Sequence, residues 1–250
     1  MNCVPVRRVA AIHDLSGFGR ASLTVAIPVL SSMGIQVCPL PTAVLSSQTS
    51  GVSDFTFHDL TPQMSPTLDH WARLGLSFDA VYSGFLGNPE QTALVARCIH
   101  EFRTPEGFAV VDPVLGDNGQ LDPMQGPEMV ARMRWLVSQA DLITPNFTEA
   151  AFLLDEEYRP EIDQDELKER LIRLAAMGPG QVVITSAPSS NQESTACVAY
   201  DRNQNRFWRV EAPFIPAFYP GTGDTFASVL TGSLLQGDSL PVAMDRATQF

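Results

Sequence analysis

The strongest constraint on the fold of this chain is an alternation between short apolar runs and segments with helical spacing. Val9–Ile12 is a continuous apolar run, as expected of a strand that is covered on both faces. The spacing of Leu23 and Leu30 predicts a helix after it, with Gly34 as its C-terminal cap. Pro28 is expected to bend or interrupt that helix. Strands that alternate with helices imply βαβ units, a largely parallel sheet and right-handed crossovers.

The same alternation continues along the rest of the chain. The other predicted strands are Ile35–Leu40, Ala80–Tyr82, Phe108–Val111, Asp141–Thr144 and Gln181–Ile184, with one plausible hairpin formed by Ala196–Tyr200 and Phe207–Val210. The other predicted helices are Met64–Leu74 with its true start at Pro66, Pro89–Phe102, Met129–Val137, the segment of Leu167, Leu171 and Leu174, the segment from Phe226, and Val242–Phe250. No long linker, repeat or low-complexity tract interrupts the pattern, which predicts one α/β domain over residues 1–250.

Composition excludes several classes of function. The chain has 250 residues, 44% of them hydrophobic, which is enough for one large core. Its net charge of −12 argues against binding to nucleic acid or to an anionic membrane surface. Lys168 is the only lysine and no G-x-x-x-x-G-K-[ST] motif occurs, so lysine-dependent phosphate loops are excluded. Any phosphate must be held by the backbone, by arginine or by a metal ion.

The cysteines and the N-terminus indicate the cellular compartment of the protein. Cys3, Cys38, Cys98 and Cys197 are scattered, with no C-x-x-C pair and no histidine at metal-binding spacing, so buried, reduced thiols are expected. The first eight residues lack the apolar segment of a secretory signal, and no apolar run approaches the length that spans a membrane. The sequence therefore predicts a cytoplasmic protein.

The stretch Tyr219–Ser228 places two glycines and a threonine directly before an apolar segment with helical spacing. Glycine lets the backbone approach a ligand closely, and the unpaired amides at a helix N-terminus favour an anion such as phosphate. Asp224 in this stretch has two interpretations. It is either an N-cap that accepts a hydrogen bond from an amide two or three residues on, or a general base that takes a proton from an attacking hydroxyl.

Polar residues follow most of the predicted strands. Ligands of parallel α/β sheets bind outside the carboxyl ends of the strands, so these side chains are expected to converge in one crevice. They are Asp14, Thr49, Asp112, Asn146, Glu149 and Thr185. Structural interpretations remain for some of them: Asp112 could form a turn before Pro113, and Asn146 or Glu149 could cap a helix at Phe147.

With these residues in place, the chain resembles the ribokinase-like superfamily and, within it, the pyridoxal/pyridoxamine kinases. The matching pieces lie in the right order along nearly the whole chain. They are Ser46–Thr49, Ser83–Gly87, Val111–Asp117, Ile143–Asn146 with Glu149, Val183–Ser186 and Gly221–Asp224. The resemblance implies a single-domain, three-layer α/β/α fold with a mostly parallel central sheet, and a homodimer.

The resemblance also implies phosphoryl transfer from ATP. Asp224 would be the base for the 5′-hydroxymethyl group of a vitamin B6 vitamer, and the amides of Gly221, Thr222, Gly223 and Asp224 would form the anion hole. The resemblance further implies that Asp112 and Glu149, together with Asn146, hold Mg²⁺. Asp112 and Thr144 would lie near a monovalent cation such as K⁺, and Thr185 and Ser186 would contact the nucleotide phosphates.

The residues implied at the substrate point to two related substrates. His13 matches the pyridoxal kinases, whereas Asp14 and Ser16 better match the hydroxymethylpyrimidine kinases, which commonly carry Cys where this chain has Asp224. The remaining candidates are Gln48 and Thr49 on a loop at the ring, and Phe85, which is either a stacking surface or part of the core.

Two alternatives to a vitamer kinase therefore stay open. One is a hydroxymethylpyrimidine kinase. The other is a non-catalytic vitamer-binding protein on the same fold. The second is motivated by the end of the chain at Phe250, inside a predicted helix, where members of the family continue and complete the wall of the adenine pocket.

Overall fold

The computed structural model describes residues 6–49, 51–188, 193–217 and 219–250. The strands are β1 (Arg8–Ser16), β2 (Gln36–Leu45), β3 (Phe57–Asp59), β4 (Phe78–Ser83), β5 (Arg103–Val111), β6 (Gly116–Asp117), β7 (Gln120–Leu121), β8 (Leu142–Ile143), β9 (Gln181–Ala187), β10 (Ser194–Asp201) and β11 (Arg206–Pro213). The helices are α1 (Leu23–Ser32), α2 (Thr61–Arg73), α3 (Gln91–Phe102), α4 (Pro127–Val137), α5 (Phe147–Leu154), α6 (Gln164–Ala176), α7 (Thr222–Leu235) and α8 (Leu240–Gln249).

Nine of these strands form one sheet in the order β11-β10-β9-β8-β5-β4-β1-β2-β3. The six strands from β9 to β2 in this order are parallel to one another, whereas β3, β10 and β11 join the two ends of this set by antiparallel pairing. The expectation of a mostly parallel sheet is therefore confirmed. The hairpin of β10 and β11 is also confirmed.

Helices cover both faces of the sheet. Successive side chains of a strand point to opposite faces, and in β4 Val81 packs with α2–α6 on one face, whereas Ala80 and Tyr82 pack with α1, α7 and α8 on the other. Each face buries its own apolar cluster, which explains why the strands are apolar on both sides. The three-layer α/β/α arrangement is confirmed.

Strand β1 marks the point where the strand order reverses. It pairs with β2 on one side and with β4 on the other, so the connections that leave the carboxyl ends of these strands diverge. In open parallel sheets such a reversal opens a crevice at the carboxyl ends of the strands. The crevice is thus expected beside the last residues of β1.

Three local predictions differ from the structure. Helix α2 begins at Thr61 rather than at Pro66, because Pro62 occupies the first turn, where its missing amide costs nothing, and Pro66 then forgoes one helical hydrogen bond. Helix α1 passes through Pro28 without interruption. The predicted C-terminal cap of this helix is confirmed, since Gly34 is left-handed with φ of 78°. The hairpin of β10 and β11 is not alone, since β6 and β7 form a second one.

Two expectations about the environment can also be compared with the structure. Within the described part of the chain, none of the helices combines the length and the apolarity that crossing a bilayer requires. Cys38, Cys98 and Cys197 are free thiols, and the latter two are buried as expected, whereas Cys38 is half-buried. Cys3 lies outside the described residues.

Candidate active site

A cleft of about 420 Å³ opens at the carboxyl ends of the parallel strands. It contains all but two of the residues that the sequence analysis assigned to the site, so the predicted convergence is confirmed. Those that line it are Asp14, Ser16, Gln48, Thr49, Phe85, Asp112, Thr144, Asn146, Glu149, Thr185, Gly221, Thr222, Gly223 and Asp224.

The turn before α7 presents unpaired amides to this cleft. Gly221 is the N-cap of α7 with φ of 79°, and a Cβ atom there would overlap with the carbonyl oxygen of Arg20, so only glycine fits. The first helical hydrogen bond runs from the amide of Thr225 to the carbonyl of Gly221, at 2.9 Å. The amides of Thr222, Gly223 and Asp224 precede it and have no partner in the helix. This arrangement suits an anion, while the assigned role as an anion hole stays a prediction.

Asp224 does not cap α7, so the capping interpretation is wrong. It lies in the first turn of the helix, and its Oδ2 accepts a hydrogen bond of 2.8 Å from the amide of Ser22. Burial raises the pKa of Asp224 to about 6, against the lowering effect of the Ser22 amide and with a further increase from the charge of Asp14. A carboxylate with such a pKa is well suited to accept a proton near neutral pH.

A second group of acids lines the same cleft as Asp224. Oδ1 of Asp112 accepts a hydrogen bond of 3.0 Å from the hydroxyl of Thr144. Burial, followed by the charge of Asp224, raises the pKa of Asp112 to about 7. Burial and the charge of Asp112 also raise the pKa of Glu149 well above its ordinary value. No Lys, Arg or His of the described residues lines the cleft to offset the charge of these carboxyl groups.

Asn146 and Glu149 have both of the roles that the sequence left open, since they cap α5 and also line the cleft. The side chain of Asn146 accepts a hydrogen bond of 2.9 Å from the backbone amide of Glu149, and Oε2 of Glu149 accepts one of 2.7 Å from the backbone amide of Asn146. These two hydrogen bonds form a capping box. Oε1 of Glu149 accepts a hydrogen bond of 3.1 Å from the backbone amide of Leu115, and Nδ2 of the Asn146 side chain donates one of 2.8 Å to the carbonyl oxygen of Gly116.

The acids fit a hard cation that keeps its own waters. No group of three or more His, Cys, Asp or Glu side chains in the described residues is arranged to bind a metal directly. Both oxygens of Glu149 already accept backbone amides, so this residue would reach Mg²⁺ through water. Oδ2 of Asp112 accepts no hydrogen bond from Thr144 and lies on the side of Gly223, within the cleft.

The end of the cleft beside β1 carries the residues assigned to the substrate. Oδ2 of Asp14 accepts a hydrogen bond of 2.9 Å from the hydroxyl of Ser16, and burial raises the pKa of Asp14. The hydroxyl of Thr49 donates to Oδ2 of Asp122 at 3.1 Å, which joins two loops that line the cleft. Phe85 is buried apart from the part of its surface that lines the cleft, so it belongs to the core and to the site alike.

His13 and Ser186 are the two predicted residues that do not line the cleft. His13 is fully buried beneath it. Ser186 is exposed, with φ of 53°, and only its neighbour Thr185 reaches the cleft. The contact of Ser186 with nucleotide phosphates therefore stays a prediction without support from the geometry of the cleft.

Comparison with known proteins identifies the family. A family model described as phosphomethylpyrimidine kinase matches residues 19–250, which is most of the chain. The chain belongs to the phosphomethylpyrimidine kinase family. It is a phosphotransferase of the pyridoxal kinase type with an alcohol group as acceptor, within the ribokinase-like superfamily.

Relatives of this kinase carry two kinds of name. A pyridoxine/pyridoxal/pyridoxamine kinase from Bordetella avium is 31% identical over 268 residues, which cover 97% of this chain and 82% of the relative. A hydroxymethylpyrimidine/phosphomethylpyrimidine kinase from Bacillus subtilis is 27% identical over 246 residues, which cover 97% and 80%. A crystal structure from Bacteroides thetaiotaomicron, described as a candidate phosphomethylpyrimidine kinase in a form with pyridoxal, matches with a TM-score of 0.95 and 54% identity over 98% of this chain and 86% of that one.

The sequence analysis of this kinase missed several residues of the site. Ser22 is the most important, since its amide donates to the carboxylate of Asp224 and no local pattern predicts a contact with a residue so distant in sequence. Asp117 and Asp122 also line the cleft, and both belong to the region of the unpredicted hairpin of β6 and β7. The Asn118-Gly119 dipeptide that joins the two strands is the signal that could have revealed that hairpin, since Asn-Gly favours a two-residue hairpin turn.

Proposed function

We propose that this protein is an ATP-dependent kinase, carried by a single domain, that phosphorylates the 5′-hydroxymethyl group of a vitamin B6 vitamer to give the 5′-phosphate and ADP. The observation that carries the proposal is the position of Asp224, a buried carboxyl group with pKa raised to about 6 directly beside the unpaired amides that begin α7. A base and an anion site side by side are what phosphoryl transfer to an alcohol requires.

In this proposal Asp224 accepts the proton of the vitamer hydroxyl as that oxygen attacks the γ-phosphoryl group of ATP. The amides of Thr222, Gly223 and Asp224 hold the transferring group in line and stabilise its negative charge. Thr185 and Ser186 contact the phosphates of the nucleotide. Each of these groups binds or orients a reactant, and none forms a covalent intermediate with it.

Cations complete the proposed site. Acids line the cleft, and no Lys, Arg or His of the described residues does so, which leaves the charge of ATP to be balanced by amides and metal ions. Asp112, Asn146 and Glu149 would hold Mg²⁺ largely through waters, and Asp112 with Thr144 would lie near a monovalent cation such as K⁺. Bound Mg²⁺ supplies charge neutralisation at the phosphates.

Two observations favour a pyridine substrate over a pyrimidine. The first is the carboxylate of Asp224, because the hydroxymethylpyrimidine kinases commonly carry Cys at that place of the motif. The second is the likeness to the Bacteroides thetaiotaomicron protein, whose structure has a form with pyridoxal although the protein is described as a candidate phosphomethylpyrimidine kinase. The second candidate function, a hydroxymethylpyrimidine kinase, is supported by the family model and by Asp14 and Ser16, which line the cleft and are hydrogen bonded to each other.

A coupled assay of ADP release with pyridoxal, pyridoxine, pyridoxamine and hydroxymethylpyrimidine tests the proposal. The expected result is vitamer-dependent turnover in the wild type that is lost in Asp224→Asn, with hydroxymethylpyrimidine the poorer substrate. A preference for the pyrimidine would support the second candidate. Vitamer and ATP-analogue binding by equilibrium dialysis without any turnover in the presence of Mg²⁺ would instead indicate a non-catalytic binding protein.

We further propose that the protein is a cytoplasmic homodimer. The free thiols of Cys38, Cys98 and Cys197 support a reducing compartment. The homodimer rests on the family resemblance, and light scattering after size-exclusion chromatography tests it. A mass near that of one 27.2 kDa chain at micromolar concentration would contradict it.

A further inference from the structure

The side chain of His13 is unusual because it is polar, enclosed and without a hydrogen-bond partner. Its exposure is 0%, and within the described residues neither Nδ1 nor Nε2 finds a partner. Buried polar atoms are nearly always paired, since their desolvation is otherwise uncompensated. A fully buried imidazole with two unpaired nitrogens therefore calls for a functional explanation.

The surroundings of His13 aim the ring at the base. Nδ1 lies 3.7 Å from Oδ1 of Asp224. Tyr82 packs edge-to-face against the ring with centroids 4.3 Å apart, and the edge that carries Nδ1 and Cε1 rests on Gly84, where a Cβ atom would overlap with it. Tyr82 and Gly84 thus fix the imidazole from two directions. The separation of 3.7 Å is too long for a hydrogen bond.

The charge state of His13 suits a donor rather than a cation. Burial lowers the pKa of His13 to about 3, so the imidazole is neutral at the pH of the cytoplasm. A neutral imidazole carries one N–H, and with the proton on Nδ1 it can donate to a carboxylate. Oδ2 of Asp224 already accepts the amide of Ser22, which leaves Oδ1 as the oxygen that faces His13.

We propose that His13 is a positioning residue for Asp224, whose Nδ1–H closes onto Oδ1 when reactants fill the cleft. Ser22 and His13 then hold one carboxylate oxygen each and fix the plane of the base toward the vitamer hydroxyl. The movement needed is small, roughly 0.7 Å from the present distance to an ordinary hydrogen bond, and catalytic hydrogen bonds commonly tighten in this way when substrate binds. The inference rests on the proposed function and replaces the role of His13 as a substrate contact, because its ring does not line the cleft.

Three variants separate this role from a contact with the vitamer. His13→Leu removes the donor, and we expect kcat to fall about 10- to 100-fold, as for a misplaced reacting group, with the KM for the vitamer within about twofold of wild type. His13→Asn keeps an amide nitrogen on Cγ, where Nδ1 is attached, and should recover most of kcat. In the double variant His13→Leu/Asp224→Asn, the loss should not exceed that of Asp224→Asn alone.

Ser233→Ala is the matched control. Ser233 is a buried residue of α7 whose hydroxyl also has no partner in the described residues, and its removal should leave kcat and KM unchanged. If His13→Leu does not fold, the comparison of His13→Asn with His13→Gln decides. The glutamine amide nitrogen lies at the place of Nε2 instead, so kcat of His13→Asn should be the higher of the two.

Several results would overturn the proposal. A raised KM with unchanged kcat in His13→Leu would assign His13 to substrate binding. An additional loss of kcat in the double variant would mean that His13 acts independently of Asp224. A lower melting temperature with unchanged kcat per folded molecule would reduce His13 to packing. A wild type without turnover on any vitamer would instead refute the proposed function, and the role of His13 with it.

Discussion

The backbone amide of Ser22 donates a hydrogen bond of 2.8 Å to Oδ2 of Asp224, a residue 202 positions further along the chain. Ser22 reaches this position in an uncommon conformation, with φ of 54° and ψ of −128°. Such strain is held in place only when surrounding structure over-determines it, and here it directs an amide at the base of the proposed reaction. The connection from β1 to α1 thus orients Asp224 at the start of α7.

The first prediction concerns the role of Asp224. Asparagine retains an oxygen that can accept the amide of Ser22, but it cannot take up the proton of the vitamer hydroxyl. We expect Asp224→Asn to lose at least about 10²-fold in kcat while vitamer binding, measured by equilibrium dialysis, is retained. A variant that keeps most of its kcat would leave the proposed mechanism without a base.

The second prediction concerns the dependence of stability on pH. Burial raises the pKa of Asp224 from an ordinary value of 3.8 to about 6, so the folded state holds this proton more tightly than the unfolded state. The group therefore contributes its full stability below its ordinary pKa and loses it as the pH rises through the folded value. Asp224→Asn lacks this loss, and its free energy of unfolding relative to wild type should be higher at pH 8 than at pH 4. Urea unfolding at both pH values without Mg²⁺ measures the difference, and an equal difference at both would contradict the shifted pKa.

The third prediction concerns Asp112 and Glu149, the other two acids of the proposed mechanism. Asp112→Ala and Glu149→Gln should both lower the rate and shift the Mg²⁺ titration to higher concentration, because both acids are expected to organise the ion through its waters. Glu149→Gln should in addition lower the free energy of unfolding by about 1–3 kcal/mol, since glutamine has only one oxygen for the two amides that Glu149 accepts. Wild-type titration and turnover in both variants would exclude these two residues from the metal site.

The fourth prediction uses the single lysine. Lys168 lies on α6 with half of its side chain exposed, paired with Asp165 at 3.1 Å on the surface. Lys168→Ala should leave turnover within about twofold of wild type, as expected of a surface substitution away from the site. A decrease of orders of magnitude in the ADP-release assay would mean that Lys168 reaches the phosphates of the nucleotide.

The sequence predicted most of the fold because the spacing of its apolar residues changes between strands and helices. Apolar runs such as Val9–Ile12 identified the parallel strands, and the position of polar residues after them predicted the cleft. Short elements with few residues, such as β3 and the hairpin of β6 and β7, escaped because a strand of two or three residues has no measurable period. The start of α2 was also misplaced, because both Pro62 and Pro66 suit the first turn of a helix and the sequence alone does not decide between them.

Residues of the site were predictable where a local motif identified them, and not where a distant contact decided their role. The structural alternative for Asn146 and Glu149, a cap of the helix at Phe147, is confirmed, and it could be named from the sequence because a capping box is local. The interpretation of Asp224 as a cap was wrong because its partner, Ser22, comes from another crossover of the sheet. The burial of His13 behind the cleft could not be foreseen, because it depends on the packing of β4 against β1.

One layer of this fold joins the beginning of the chain to its end. Helix α1 packs with α7 and α8 on a face of the sheet that the intervening helices leave uncovered. During synthesis, every strand of the sheet emerges from the ribosome before either of the last two helices is available, so a nascent chain carries that apolar face exposed. Asp224, the proposed base, lies on the first of these two helices. A chain without these two helices would therefore both expose an apolar face that favours aggregation and lack the proposed base. Catalytic activity would then appear only after this layer of helices has packed on the sheet.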